Sequence, residues 1–534
     1  MKVFNTTAVC IPSKHYMVDP SAIVADIRKM VDAGKYFSIN RARQYGKTTT
    51  LNALKQILEN DYIVLSLSFE GITSAGFQSE GEFVQIFSRL ILDLNEFHGV
   101  SIPDKTVSAL EEYSSREPEK VKMDELFRTF RRWIVNEKKP FVLIVDEVDN
   151  AANDQVFLDF LGLLRDGYIS REKDQMPAFW SVILAGVTDI KHLKSKIRKD
   201  DESKENSPWN IASDFTLDLS LPEDGIREML DDYEADHHTG MDTGLIANKI
   251  RRYTNGYPFL VSRICQLISE RLVPETFETL SDVWTDEGVE TAIKILVTEK
   301  NTLFDSLMSK LENYKKLRDQ LRRILLRGEI IEYLPDNREQ EQLMMYGFII
   351  NDHNTVAVAN RIFEMRLYKY YVGESKFADE MREDALDNKP AFIENGELNV
   401  PLIMERFIET QKYIRNLNDE KAEKRFIEEE GREKFLTYIS PIINGIGTYS
   451  VEDRTRDRKR MDVVIHYRGR RYIIELKIWH GERYNAMGEE QIMDYLDSYG
   501  LDTGYLLSFS FNKTKEPGVE EVRIGGKLLY EGVV

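Results

Sequence analysis

Tyr36-Phe37-Ser38-Ile39-Asn40-Arg41-Ala42-Arg43-Gln44-Tyr45-Gly46-Lys47-Thr48-Thr49-Thr50 runs from a short apolar segment through a Gly-Lys-Thr turn into a stretch that reads as helix to Leu58. This order of strand, loop and helix decides the first domain. Backbone N–H groups at the helix start point toward an anion held by the loop. The loop matches the phosphate-binding pattern G-x-x-x-x-G-K-[ST] except at its first position, where Arg41 replaces glycine. Gly46 lets the chain come close to phosphate, Lys47 supplies a cation for the β- and γ-phosphates, and Thr48 offers a hydroxyl to Mg²⁺. The lost first glycine narrows the backbone options, because an L-residue resists positive φ. Arg41, Arg43, Gln44, Tyr45, Gly46, Lys47, Thr48 and Thr49 are therefore the candidate nucleotide contacts.

Outward from the loop, strands and helices alternate over residues 36–220. Tyr62–Phe69 reads as a second strand and Glu80–Phe97 as a helix. Phe141-Val142-Leu143-Ile144-Val145 is a continuous apolar run, as expected of a strand buried on both faces of a parallel sheet. It ends in Asp146-Glu147. Asp146 can hold the water shell of Mg²⁺, and Glu147 can polarise an attacking water. An acidic helix cap is the bland alternative for this pair. Phe179–Ala185 and Phe215–Leu219 complete the strands, implying right-handed crossovers and a three-layer α/β domain.

Beyond Pro222 the apolar spacing becomes helical, and Gly347–Val358 reads as a small hairpin after a helical pair. Glu374–Val400 is polar and broken by Pro390 and Gly396, which reads as a linker. The expected organisation is an ATPase core at 1–221, a helical lid at 222–300, a winged-helix module at 301–375, linker and helix at 376–420, and a last domain at 421–534.

The 534 residues carry 42% apolar and 31% charged side chains, which excludes disordered and small disulfide-stapled classes. No apolar run of about 18 residues is present to span a bilayer, so no membrane partner is expected. Cys10 and Cys265 sit among apolar neighbours and read as reduced thiols in the cytoplasm. The net charge is −19, yet residues 421–534 hold 19 Lys/Arg against 20 Asp/Glu. A polyanion partner would meet this nearly neutral segment, at Arg454, Arg456, Arg458, Lys459 and Arg460, and not the acidic remainder.

The loop Arg-Ala-Arg-Gln-Tyr-Gly-Lys-Thr-Thr-Thr, with the upstream Phe4-Asn5-Thr6-Thr7 and His15-Tyr16-Met17-Val18-Asp19, resembles the bacterial AAA-like ATPases of the STAND-type branch of P-loop proteins over about residues 1–370. The resemblance implies ATP as ligand and a γ-phosphate sensor at Thr188 in Ala185-Gly186-Val187-Thr188-Asp189. It also implies a lid contact at Pro258 in Gly256-Tyr257-Pro258, where a plain helix stop and start is the alternative reading. A finger arginine at Arg198, reaching the phosphate of a second copy in a homo-oligomer, competes with a solvated helix face.

Near the carboxyl end, Met461–Tyr467 and Arg471–Ile478 alternate around Arg468-Gly469-Arg470, a hairpin signature. A Gly469-Arg470 loop would set Asp462 opposite Lys477 and diagonal to Glu475. Two carboxylates and an ammonium then converge, which suits metal-assisted phosphodiester hydrolysis. Asp462 followed by Glu475-Leu476-Lys477 is similar to the PD-(D/E)XK nuclease superfamily over roughly residues 421–534, although Met461 stands where many members have proline. The resemblance implies Mg²⁺ or Mn²⁺ held by Asp462 and Glu475, with Lys477 orienting water. It adds Gln491 of Gln491-Ile492-Met493-Asp494-Tyr495 and Glu433 of the preceding helix to the catalytic set. The expected whole is an ATP-controlled nuclease acting on nucleic acid, DNA before RNA, in a defence or toxin-like role. A nucleotide-sensing protein whose last domain binds without cutting is the alternative.

Overall fold

The computed structural model describes residues 2–534 apart from 152–153, 188–217, 328–330, 374–377, 418–427, 445, 455–459, 479–481 and 511–515. The chain forms two compact units: Met1–Trp284 with Glu341–Gly347, and Thr285–Gln340 with Phe348–Val534.

In the first unit, four parallel strands stand in the order Tyr36–Asn40, Ser181–Gly186, Phe141–Asp146, Ile63–Ser68. Strand alternation sorts their side chains into two cores. Val142 and Ile144 face one side with Phe37, Ile39 and Ile183, against helices Ser21–Asp32 and Lys47–Leu58. Leu143 and Val145 face the other side with Leu65, Val182 and Leu184, against helices Glu80–Phe97, Met123–Asn136 and Gln155–Asp174. All six residues of Phe141–Asp146 are buried, as its continuous apolar run requires. Each fully buried Val, Leu or Ile adds roughly 1.5–3 kcal/mol of transfer free energy. The expected strand Phe215–Leu219 falls mostly outside the described residues, and Asp218–Ser220 is not strand. Helices Glu223–His237, Thr243–Thr254 and Pro258–Gln266 follow.

The second unit holds helices Asp286–Thr298, Thr302–Asn313 and Lys315–Arg327, the hairpin Ile349–Asp352/Thr355–Val358, and helix Arg361–Gly373. From Ala378 on, the stretch expected as a linker holds secondary structure. Helix Ala378–Asn388 and the hairpin Ile393–Glu394/Glu397–Leu398 occupy it. Its polar composition misleads because, among the described residues, only Met381, Ala385, Phe392, Leu398 and Val400 are buried apolar side chains, while Asn395-Gly396 supplies a tight turn with φ of 52° and 83°. Asp384 then ties the segment to its neighbours, accepting hydrogen bonds from Thr410 at 2.9 Å and Tyr438 at 2.7 Å.

The last part of this unit is a six-stranded mixed sheet in the order Gly447–Arg454, Arg460–Tyr467, Arg470–Ile478, Thr503–Phe509, Lys527–Val533, Gly518–Ile524. Val464, Ile473, Leu506 and Leu529 pack beneath Ile492, Tyr495 and Leu496 of helix Glu482–Tyr499. The opposite face meets helices Val400–Leu417 and Glu428–Ile443, where Phe407 packs on Phe435, Tyr438 and Phe509.

Candidate functional site

Lys47 folds back onto the phosphate loop. Gly46 caps the helix in the left-handed region at φ 80°, so its N–H and those that follow sit at the positive end of the helix. Lys47 Nζ donates to the carbonyls of Arg41 at 2.9 Å and Ala42 at 3.1 Å. Burial lowers the Lys47 pKa, and the carboxylates of Glu147, Asp146 and Asp149 work against that fall. A desolvated cation facing a loop of N–H donors is suited to a polyanion. Gln44 also adopts a left-handed conformation, at φ 55°. With a Cβ present, this costs about 1 kcal/mol.

Thr48 reaches the neighbouring motif directly. Its hydroxyl donates to Asp146 Oδ2 at 2.7 Å, although another strand separates the two parent strands in the sheet. Asp146 Oδ1 accepts the Glu147 N–H at 2.9 Å. Glu147 itself is left-handed at φ 54°, and burial raises its carboxyl pKa while Lys47 opposes the rise. Thr48 and Asp146 therefore present oxygen donors side by side, the chemistry of a hard divalent cation such as Mg²⁺.

Three neighbours of this site carried no site role in the sequence. Asp149 Oδ2 accepts the Val187 N–H at 2.6 Å and lies under Gly186, where an added Cβ would come within 2.9 Å of it. Its signal was a third acid in Asp146-Glu147-Val148-Asp149. Cys10 N–H donates to Thr49 Oγ1 at 3.1 Å, so the Asn5–Cys10 turn flanks the helix start. Tyr257 donates its hydroxyl to the Arg43 carbonyl. Pro258 follows, its Cγ 3.8 Å from where a Gly46 Cβ would stand. The Gly256-Tyr257-Pro258 element thus meets the phosphate loop itself. Thr188 and Arg198 lie outside the described residues.

In the last sheet, the hairpin turn is Arg468-Gly469, with φ of 48° and 77°. Tyr467 pairs with Arg470, and Val463 with Ile474. The expected Gly469-Arg470 loop placed glycine first. The observed turn has both central residues left-handed and glycine second, the arrangement favoured by strand twist. One further step along this register sets Asp462 opposite Glu475, not opposite Lys477 as expected. The shift is two residues, so the parity of the strand is unchanged.

Glu475 is fully buried, with Oε1 2.9 Å from Lys477 Nζ. Both follow the parity of Ile473 and lie toward helix Glu482–Tyr499. On that helix Gln491 Nε2 donates to Tyr495 Oη at 2.7 Å. Glu433 differs from expectation. Its helix packs on the other face, where Gly431 abuts the Phe509 ring, and its carboxylate takes the Arg322 guanidinium at 2.9 and 3.1 Å. Among the described residues, no group of three or more His, Cys, Asp or Glu is arranged to hold a metal. The basic run at 455–459 lies outside the described residues. Cys10 and Cys265 are free thiols, and burial raises both pKa values. No described helix is long and apolar enough to cross a membrane.

The model of the AAA-like domain family matches residues 4–373. The chain belongs to that family. A curated relative, an uncharacterised WD repeat-containing protein of Synechocystis, is 24% identical over 356 residues. The match takes in 62% of this chain and 27% of that relative, so the chain spans about a quarter of the protein it matches. Among solved structures, a Walker-type ATPase of Pyrococcus abyssi is 15% identical with a TM-score of 0.47, covering 68% of this chain and 99% of that one. The RuvB Holliday junction branch migration motor of Thermotoga maritima is 12% identical with a TM-score of 0.33, over 66% of this chain and 95% of that one. The ORC1 protein of Aeropyrum pernix, solved with DNA, is 11% identical with a TM-score of 0.30, over 66% and 93%. The AAA-like assignment and the parallel sheet make the first unit a P-loop ATPase-type domain.

Proposed function

We propose that the chain is an ATP-operated switch of the STAND type whose C-terminal sheet, residues 421–534, carries a metal-dependent nuclease site. The observation that carries the nucleotide half is the 2.7 Å hydrogen bond between Thr48 and Asp146 beside the loop of Gly46 and Lys47. Lys47 exchanges its Arg41 and Ala42 carbonyl partners for β- and γ-phosphate oxygens. Thr48 and Asp146 hold Mg²⁺, which when bound neutralises charge on the phosphates. Glu147, half-buried next to them, orients the water that attacks. Pro258 brings the lid to the loop, and Thr188 and Arg198 serve as sensor and finger in a homo-oligomer.

For the nuclease half, the support is the buried Glu475–Lys477 pair with Asp462 at the register position across from Glu475. Asp462 and Glu475 hold Mg²⁺ or Mn²⁺, Lys477 steadies water or developing charge, and Gln491 orders the neighbouring helix edge. Nucleic acid, DNA before RNA, is the substrate, with the basic run 454–460 on its backbone. The module with helices and hairpin at 301–375 is read as a winged helix. A cytoplasmic defence effector is the matching role.

A second reading has its own observation. Glu475 is sealed from solvent and Glu433 is held by Arg322, which suits a fold kept for binding. Incubating the full chain with labelled single- and double-stranded DNA and RNA, in Mg²⁺ or Mn²⁺ with and without ATP, separates the two. Cleavage that disappears in Glu475→Ala supports the nuclease. Intact ATP binding with no cleavage under any condition leaves the binding module.

A further inference from the structure

We infer that Tyr257 is a positioning residue for the phosphate loop, holding the left-handed Gln44 between its neighbours Arg43 and Tyr45; the inference rests on Arg41–Thr48 being the nucleotide cradle. The loop contains two left-handed residues, Gln44 at φ 55° and Gly46 at φ 80°. Only Gly46 adopts that conformation without steric cost. Gln44 needs restraint from outside the loop, and Tyr257 touches both of its neighbours. The Tyr257 hydroxyl donates to the Arg43 carbonyl, one residue before Gln44. The Tyr257 ring meets the Tyr45 ring edge-on, centroids 4.5 Å apart, one residue after it.

Tyr257 is itself fixed. Asn255 and Gly256 are left-handed at 48° and 72°, which turns the chain sharply out of helix Thr243–Thr254. A Cβ on Gly256 would lie 2.3 Å from the Leu221 carbonyl oxygen, so this turn needs glycine. Leu221 N–H donates to Gly256 O at 2.8 Å, and Tyr257 N–H to Thr254 O at 3.0 Å. Pro258 then starts the next helix. The tyrosine is 2% exposed, and burial holds its hydroxyl protonated as a donor. Next to both the loop and this ring, a Cβ on Gly347 would come within 2.8 Å of Ala42 Cβ and 3.8 Å of Tyr257 Cε2. The ring packs against the loop, and the hydroxyl is the polar part of that contact.

The test uses the full chain and displacement of a fluorescent ATP analogue by ATP, ADP and adenosine. In Tyr257→Phe, ATP and ADP affinities fall about fivefold to tenfold while adenosine affinity holds, since only the phosphate cradle loosens. Adding Gln44→Gly to Tyr257→Phe restores the loss, because glycine keeps the left-handed conformation unaided. Wild-type affinity in Tyr257→Phe, an equal loss for adenosine, or no recovery with Gln44→Gly overturns the inference alone. A wild-type chain that binds no ATP overturns the cradle reading and the inference with it.

Discussion

The two candidate sites satisfy their charges in opposite ways. At the phosphate loop, Lys47 rests on two carbonyls, and Thr48 brings a neutral hydroxyl to Asp146. Neutral partners are given up at little cost when phosphate or a cation arrives. In the last sheet, Glu475 rests on the ammonium of Lys477 with no solvent access. Breaking a buried ion pair costs several kcal/mol unless the incoming ion replaces it fully. The first arrangement is ready for a ligand, whereas the second must exchange one cation for another.

The sharpest way to break this contrast is at Glu475. Glu475→Ala removes metal-dependent cleavage by at least about 1,000-fold. It also destabilises the sheet by about 3 kcal/mol, because the buried Glu475–Lys477 ion pair is broken. Glu475→Gln loses cleavage equally but costs less stability; cleavage assays beside thermal melts read the two effects apart. Retained cleavage in Glu475→Gln would move the chemistry elsewhere. At the first site, Glu147→Gln slows ATP hydrolysis about 100-fold with ATP affinity unchanged, checked by phosphate release and by titration. A matching fall in affinity would give Glu147 a binding role instead. The smallest effect concerns the strand register. Gly469→Ala, at φ 77°, lowers stability by about 1 kcal/mol, while Arg468→Gly at φ 48° leaves it equal or higher. The reverse order in thermal melts would contradict the Arg468-Gly469 turn.

The same contrast explains what could be read in advance. The nucleotide loop is local: strand, Gly46-Lys47-Thr48 and helix stand within about twenty residues, so residue order alone places them. The strand ending in Asp146 needed only its unbroken apolar run. The last site depends instead on turn phase. Gly469 announced a hairpin, but its position within the turn fixes the register, and alternation is identical for shifts of two residues. The helix Ala378–Asn388 was hidden because two small inward contacts, Met381 and Ala385, do not stand out among so many charges. The ion pair of Glu433 was hidden for a different reason. Its partner Arg322 lies 111 residues away in sequence, and nothing local points to such a pair. Tyr257 sat inside a motif already noticed, but its contact with Arg43 exists only once the turn between helices Thr243–Thr254 and Pro258–Gln266 has folded.

Calorimetric titration of Mg²⁺-ATP into the full chain, wild type beside Lys47→Ala, tests the nucleotide site most directly. One ATP is expected per chain, with affinity about 100-fold weaker in Lys47→Ala as the charge-assisted phosphate contacts are lost. Equal binding by both proteins, or no binding by the wild type, would contradict a nucleotide site there.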